Sequence, residues 1–148
     1  MNVGSTGFSA GSVQYTSLAF HDGEPYVAYR DNGNSNRATV RRHNGSSWVN
    51  VGSAGFSAGA VEYTWLAFHD SEPYVAYRDG GTSNRATVMK YDGTNWVNVG
   101  SAGFSAGSVQ YTALAFHDGK PYVAYRDGGN SNKVTVRRFD GTNWVNVG

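Results

Sequence analysis

The sequence predicts an all-β chain made of three copies of one four-stranded antiparallel unit. Two observations carry this reading. Asn2-Val3-Gly4-Ser5 returns as Asn50-Val51-Gly52-Ser53 and as Asn98-Val99-Gly100-Ser101, and Asn146-Val147-Gly148 opens a fourth copy. The period is 48 residues with no insertion or deletion, and residues 50–97 match 98–145 at 37 of 48 positions. Self-similarity at a fixed period of this size marks a repeat architecture. Second, 20 of the 148 residues are glycine and 14% are aromatic, and no segment shows a 3.6-residue apolar period. That composition belongs to strands joined by tight turns.

The elements of the first copy follow in order. Tyr15–His21 is a short apolar run closed by Asp22-Gly23-Glu24-Pro25. Residues 26–30 form a second run, ended by the polar loop 31–36, and residues 37–42 alternate in polarity. After Asn44-Gly45 comes Trp48–Val51. These are four strands of about five to seven residues, each bounded by turn chemistry. Asn44-Gly45, Asp92-Gly93 and Asp140-Gly141 are hairpin signals of the strongest short-range kind. The first two strands carry apolar groups on both faces, the third alternates, and the fourth is mixed. Two-sided burial suits inner strands and alternation suits half-buried ones.

A four-stranded meander repeated every 40–50 residues is a propeller blade. The Ser/Thr-x-Leu-Ala-Phe first strand, the Pro-Tyr-Val-Ala-Tyr second strand and the Asp-Gly-Thr-Asn-Trp turn resemble blades of the β-propeller superfamily over the whole chain. The Gly-His and Trp-Asp pairs of WD40 blades and the paired glycines of kelch blades are absent. The turn Asp140–Trp144 is similar to the Asp-box of sialidase-type propellers, but one residue shorter and without its leading serine. The resemblance implies one unit over residues 1–148, with blades at about 2–49, 50–97 and 98–145 and an overhang at 146–148.

Three blades do not close a ring. A blade face covers roughly 350 Å², and two open faces lined by Phe, Tyr, Leu and Val exceed what a solution monomer usually exposes. Propellers usually have about four to eight blades, of which only six is a multiple of three. The expected partner is therefore a second copy, in a homodimer closing head to tail into six blades. A homotrimer of nine blades is the alternative. The duplicated Asn2-Val3-Gly4 docks, competes with its copy or frays.

A net charge of +1 provides no basic field for nucleic acid and no membrane patch. The absence of cysteine excludes disulfides and thiol chemistry. No stretch reaches the ~18 apolar residues of a membrane span, and no export signal is legible in residues 1–20, so a soluble chain is expected, its compartment unknown.

His21, His69 and His117 are read as strand-end residues beside turn aspartates rather than as a metal ring, because ligands must converge within ~2–2.6 Å of one ion. Residues 31–36 place oxygen ligands at alternate positions, but the glycine and closing glutamate of a calcium loop are missing, so a loop capping its own turns is expected. No cofactor is expected. Arg30-Asp31, Arg78-Asp79 and Arg126-Asp127 end the second strand of each copy; they fasten loops to neighbouring blades, or form a polar rim for a sugar-sized ligand. Phe8, Phe56 and Phe104 are stacking platforms or plugs between blades. One position varies sharply, as Ser17, Trp65 or Ala113, which a close-packed interior rarely accepts; Trp65 is the best candidate for a ligand-facing aromatic.

No nucleophile elbow, phosphate loop or His-Glu-x-x-His is present, and the carboxylates repeat instead of forming an asymmetric pair. The expectation is accordingly a non-enzymatic, self-assembling scaffold, engineered or recently duplicated; the start at Met1 and the stop at a repeat boundary add to it. The alternative is a multivalent lectin with one glycan site per blade or junction.

Overall fold

The computed structural model describes residues 2–148 and folds them into three four-stranded antiparallel sheets. The first contains β1 (Val13–His21), β2 (Glu24–Asp31), β3 (Arg37–His43) and β4 (Trp48–Asn50) in sequential order. The second contains β5 (Val61–His69), β6 (Glu72–Asp79), β7 (Arg85–Tyr91) and β8 (Trp96–Asn98). The third contains β9 (Val109–His117), β10 (Lys120–Asp127), β11 (Lys133–Phe139) and β12 (Trp144–Asn146). Each sheet is a meander, the architecture expected from turn signals between alternating runs.

Each first strand begins two residues before the apolar run and carries a bulge. Gln14 pairs with Arg30 and Ser17 with Ala28, so Tyr15 and Thr16 together oppose Tyr29. Tyr15, Tyr63 and Tyr111 have φ of 53°, 53° and 54°. The polar loop after each second strand contains a 3₁₀ turn, at Asn32–Asn34, Gly80–Thr82 and Gly128–Asn130. The Asp31 carboxylate accepts from Gly33 N at 3.0 Å, Asn34 Nδ2 at 2.7 Å and Thr39 Oγ1 at 2.9 Å. A side chain that competes for nearby amides in this way stops the strand and starts the turn.

Stability lies between the blades. Val61, Leu66 and Val75 of the second blade pack on Ala28, Ala38 and Val40 of the first, and Val109, Leu114 and Val123 repeat this on Ala76, Ala86 and Val88. Leu66 and Leu114 are each 4% exposed, whereas Leu18, with no blade before it, is 61% exposed. Val134, with no blade after it, is 76% exposed, where Ala38 and Ala86 are 1%. The first strands, at the edge of each sheet, stay largely half-exposed along that edge, while the second strands hold most of the buried residues. Two-sided burial thus belongs to the second strand and only in part to the first.

The segment between consecutive blades is a hydrogen-bonded wedge. Phe56 N donates to Ala38 O at 2.9 Å, Gly55 N to Thr39 Oγ1 at 2.9 Å and Ala38 N to Ser57 Oγ at 3.0 Å. Phe56 stacks on Trp96 with centroids 4.1 Å apart, and the Trp96 indole donates to Val51 O at 2.7 Å. Phe104 on Trp144 repeats this at 4.3 Å. An aromatic pair with its N–H satisfied seals the outer part of each junction. Asn2-Val3-Gly4 docks likewise, with the Trp48 indole donating to Val3 O at 3.0 Å.

Candidate functional site

Two turns per blade crowd the same end of the strands, and their geometry is dictated locally. Asp70-Ser71 and Asp118-Gly119 are two-residue hairpin turns with both residues at positive φ, 46° and 64° in the first, 47° and 71° in the second. This is the turn that matches the twist of a hairpin. It carries the aspartates into solvent, each beside the preceding histidine, with His69 Nε2 3.1 Å from Asp70 Oδ2. In the second kind of turn Asp92 Oδ1 accepts from Thr94 N at 2.9 Å and Asn95 N at 2.8 Å, with Gly93 at φ 98°. Those amide bonds hold the Asp92 carboxyl below the usual aspartate range, and the same bonds act on Asp140.

Where such turns of one blade face the preceding blade, clefts of about 480 Å³ and 500 Å³ open. The first is bordered by Tyr26, Arg42 and Asn50 of one blade and Asp70, Tyr91 and Asp92 of the next. The second is bordered by Tyr74, Lys90, Asn98, Asp118, Phe139 and Asp140. All twelve lining positions of one cleft recur one repeat later in the other. Side-chain contacts brace the walls: Tyr74 meets Phe116 edge-on at 4.9 Å, Lys90 Nζ lies 5.9 Å above the Tyr74 ring and pairs with Glu72 at 2.7 Å, and Arg42 pairs with Glu24 at 2.5 Å. Burial is the main cause that pushes the Tyr26 and Tyr74 phenols up, so both stay protonated, and the Tyr74 hydroxyl donates to Glu72 Oε2 at 3.3 Å. Aromatic surface beside carboxylate, amide and phenol groups is suited to a ligand with apolar C–H faces and many hydroxyls.

The residues singled out from the sequence lie elsewhere. Asp31, Asp79 and Asp127 are buried clips of their own loops. Phe8, Phe56 and Phe104 are stacked on Trp48, Trp96 and Trp144, and so plug the blades. Arg30 and Arg78 converge on Glu62, Arg30 at 3.5 Å and Arg78 in closer contact, while Arg126 donates to Gln110. Trp65, 45% exposed, lines a shallow cavity of about 340 Å³ with Tyr15, Tyr63 and Tyr111. His21 and His69 stack on Phe68 and Phe116 of the next blade at 4.8 and 4.9 Å. Among the described residues no three His, Cys, Asp or Glu side chains are grouped to hold a metal. The cleft residues were legible only as turn and strand signals, because nothing in the linear order shows that two turns of one blade meet Tyr26 and Asn50 of the blade before.

No family model matches the chain, and no curated protein matches it. Solved structures do. The xyloglucan PUL GH43B protein of Bacteroides ovatus superposes with a TM-score of 0.65 at 16% identity, over 95% of this chain and 31% of its own. A polysaccharide lyase, the PL25 ulvan lyase bound to -[GlcA(1-4)Rha3S]-, gives 0.66 at 14% identity over 95% and 40%. An α-L-arabinofuranosidase from Lactobacillus brevis gives 0.61 at 13% identity over 90% and 53%. The chain spans about a third to a half of these proteins. They run against two expectations, that the chain is a non-enzymatic scaffold and that it is not an enzyme: the neighbours are glycoside hydrolases and a polysaccharide lyase. At this identity the likeness establishes the fold, and the three sheets are blades of a β-propeller.

Proposed function

We propose that the chain is a carbohydrate-binding β-propeller with one glycan site at each blade junction. The observation that carries this is the recurrence of the same cleft, position for position, at both junctions. A sugar ring lies against the Tyr91 or Phe139 edge, its hydroxyls donating to Asp70 and Asp92, or Asp118 and Asp140, and accepting from the Asn50 or Asn98 amide and, in the first cleft, from Tyr26; in the second the Tyr74 hydroxyl, which donates to Glu72, accepts from the sugar. Each open site of this kind is weak, and repetition converts weak sites into avidity when one polysaccharide engages several. The propeller neighbours that act on glycans support the ligand class.

Ring closure completes this reading. The donors Gly7 N, Phe8 N and Val13 N on the first blade and the acceptors Thr135 Oγ1, Val134 O and Asn132 O on the last correspond to groups that pair at both internal junctions. Among the described residues those terminal groups have no such partner within the chain. A second copy docked head to tail supplies them, giving six blades; three copies and nine blades are the alternative.

The test is a glycan array followed by calorimetry on Tyr26→Phe/Tyr74→Phe and Asp70→Asn/Asp118→Asn, with release of new sugar ends measured alongside. Losing one hydroxyl or charge per site weakens binding about three- to tenfold. Unchanged affinity in both variants would remove the clefts from the account.

A further inference from the structure

At the opposite end of the strands from the clefts, we infer that the inner edge of the blades forms a separate site for a carboxylate-bearing sugar. It stands independently of the junction clefts. The first observation is the bulge. A tyrosine held at φ near 53° is a genuine backbone outlier for a bulky side chain, and it occurs at Tyr15, Tyr63 and Tyr111. The bulge turns three rings into a staggered row, with centroids 5.0 and 4.9 Å apart and planes tilted 53° and 54°. Trp65 extends that aromatic surface in the middle blade alone. Bulges of this kind re-aim side chains next to functional sites.

The second observation is a charge imbalance beside the tyrosines. Gln14, Glu62 and Gln110 precede them, and Gln14 and Glu62 pair in register with Arg30 and Arg78. Glu62 is the one carboxylate among the three equivalent positions. It serves two guanidinium groups, Arg30 at 3.5 Å and Arg78 in closer contact. Arg126 is exposed and its side-chain partner is the neutral Gln110. Nε of Arg30 and of Arg78 are buried with no hydrogen-bond partner. Three guanidinium groups against one carboxylate leave capacity for an anion, and a guanidinium fork matches a carboxylate in two parallel hydrogen bonds. Tyr111, at the end of the aromatic row, follows Gln110, the partner of Arg126, and that sequence of groups suits a uronic acid: the sugar faces the tyrosines, and its carboxylate pairs with Arg126.

Calorimetry with trigalacturonate, and with its neutral methyl ester as control, tests this. The acid binds at least about tenfold more tightly than the ester, since a charge-assisted pair is at stake. Arg126→Gln weakens the acid about tenfold and leaves the ester unchanged. Glu62→Gln, which installs the residue already present at positions 14 and 110, tightens the acid severalfold by removing a carboxylate that repels the sugar's own and by releasing the guanidinium groups of Arg30 and Arg78. Equal binding of acid and ester, or no response to Glu62→Gln, would overturn the inference. Loss of acid binding in Tyr26→Phe/Tyr74→Phe would overturn it too, by placing the anion in the junction clefts.

Discussion

At the residue scale, the second strand of each blade holds a tyrosine sealed in the interior: Tyr29, Tyr77 and Tyr125 are 2%, 1% and 2% exposed. The hydroxyls of Tyr29 and Tyr125 have no hydrogen-bond partner. Burial, with Asp31 adding to it, pushes the Tyr29 phenol up to about 12, and burial raises Tyr77 and Tyr125 as well. A phenol with a raised folded pKa contributes stability that is fully present below its unfolded value, about 10, and is lost as pH rises through the folded value. The chain should therefore resist alkali to about pH 10 and lose stability between 10 and 12, read by denaturant midpoints across that range. Tyr125→Phe removes an unsatisfied buried hydroxyl, and its expected result is an unchanged or higher midpoint, with part of the alkaline loss abolished. A fall of more than about 1 kcal/mol would show that the hydroxyl has a partner after all.

At the element scale, the hairpins were legible in advance because their chemistry is local. Asp-Gly at 92–93 and 140–141 specifies its turn whatever surrounds it, and the glycines stand at φ 98° and 109° with open space around them. Gly93→Ala meets no neighbour, so its cost is the left-handed backbone alone, about 1 kcal/mol. The bulge at Tyr15 was not legible, since the apolar run reads as a regular strand; the next blade uses it, its Thr64 hydroxyl donating to the Tyr15 carbonyl, but Tyr111 in the last blade takes the same φ without such a neighbour. The Arg-Asp pairs show the same limit. The sequence places both residues at one strand end, yet the Asp turns inward to clip its loop while the Arg reaches along the inner edge. Direction off a strand depends on register and on neighbours, and only the first of these is written locally.

At the scale of the whole molecule, the blades are equivalent in sequence and unequal in surroundings, and the leucines report it. Leu66→Asp places a charge inside a junction where the wild-type side chain is 4% exposed, and the chain should fail to fold. Leu18→Asp alters the open face, where that residue is 61% exposed, and should leave a folded chain of 15.9 kDa that no longer associates. Sedimentation equilibrium separates these outcomes; association surviving Leu18→Asp would place the contact between copies elsewhere. The two internal clefts exist in every copy, whether or not copies close into a ring. The most direct test of the glycan account is a crystal structure with a neutral oligosaccharide selected from an array. Sugar density is expected in both internal clefts, against Tyr26 with Asp70 and against Tyr74 with Asp118. Sugar bound at one place only, or away from both clefts, would contradict it.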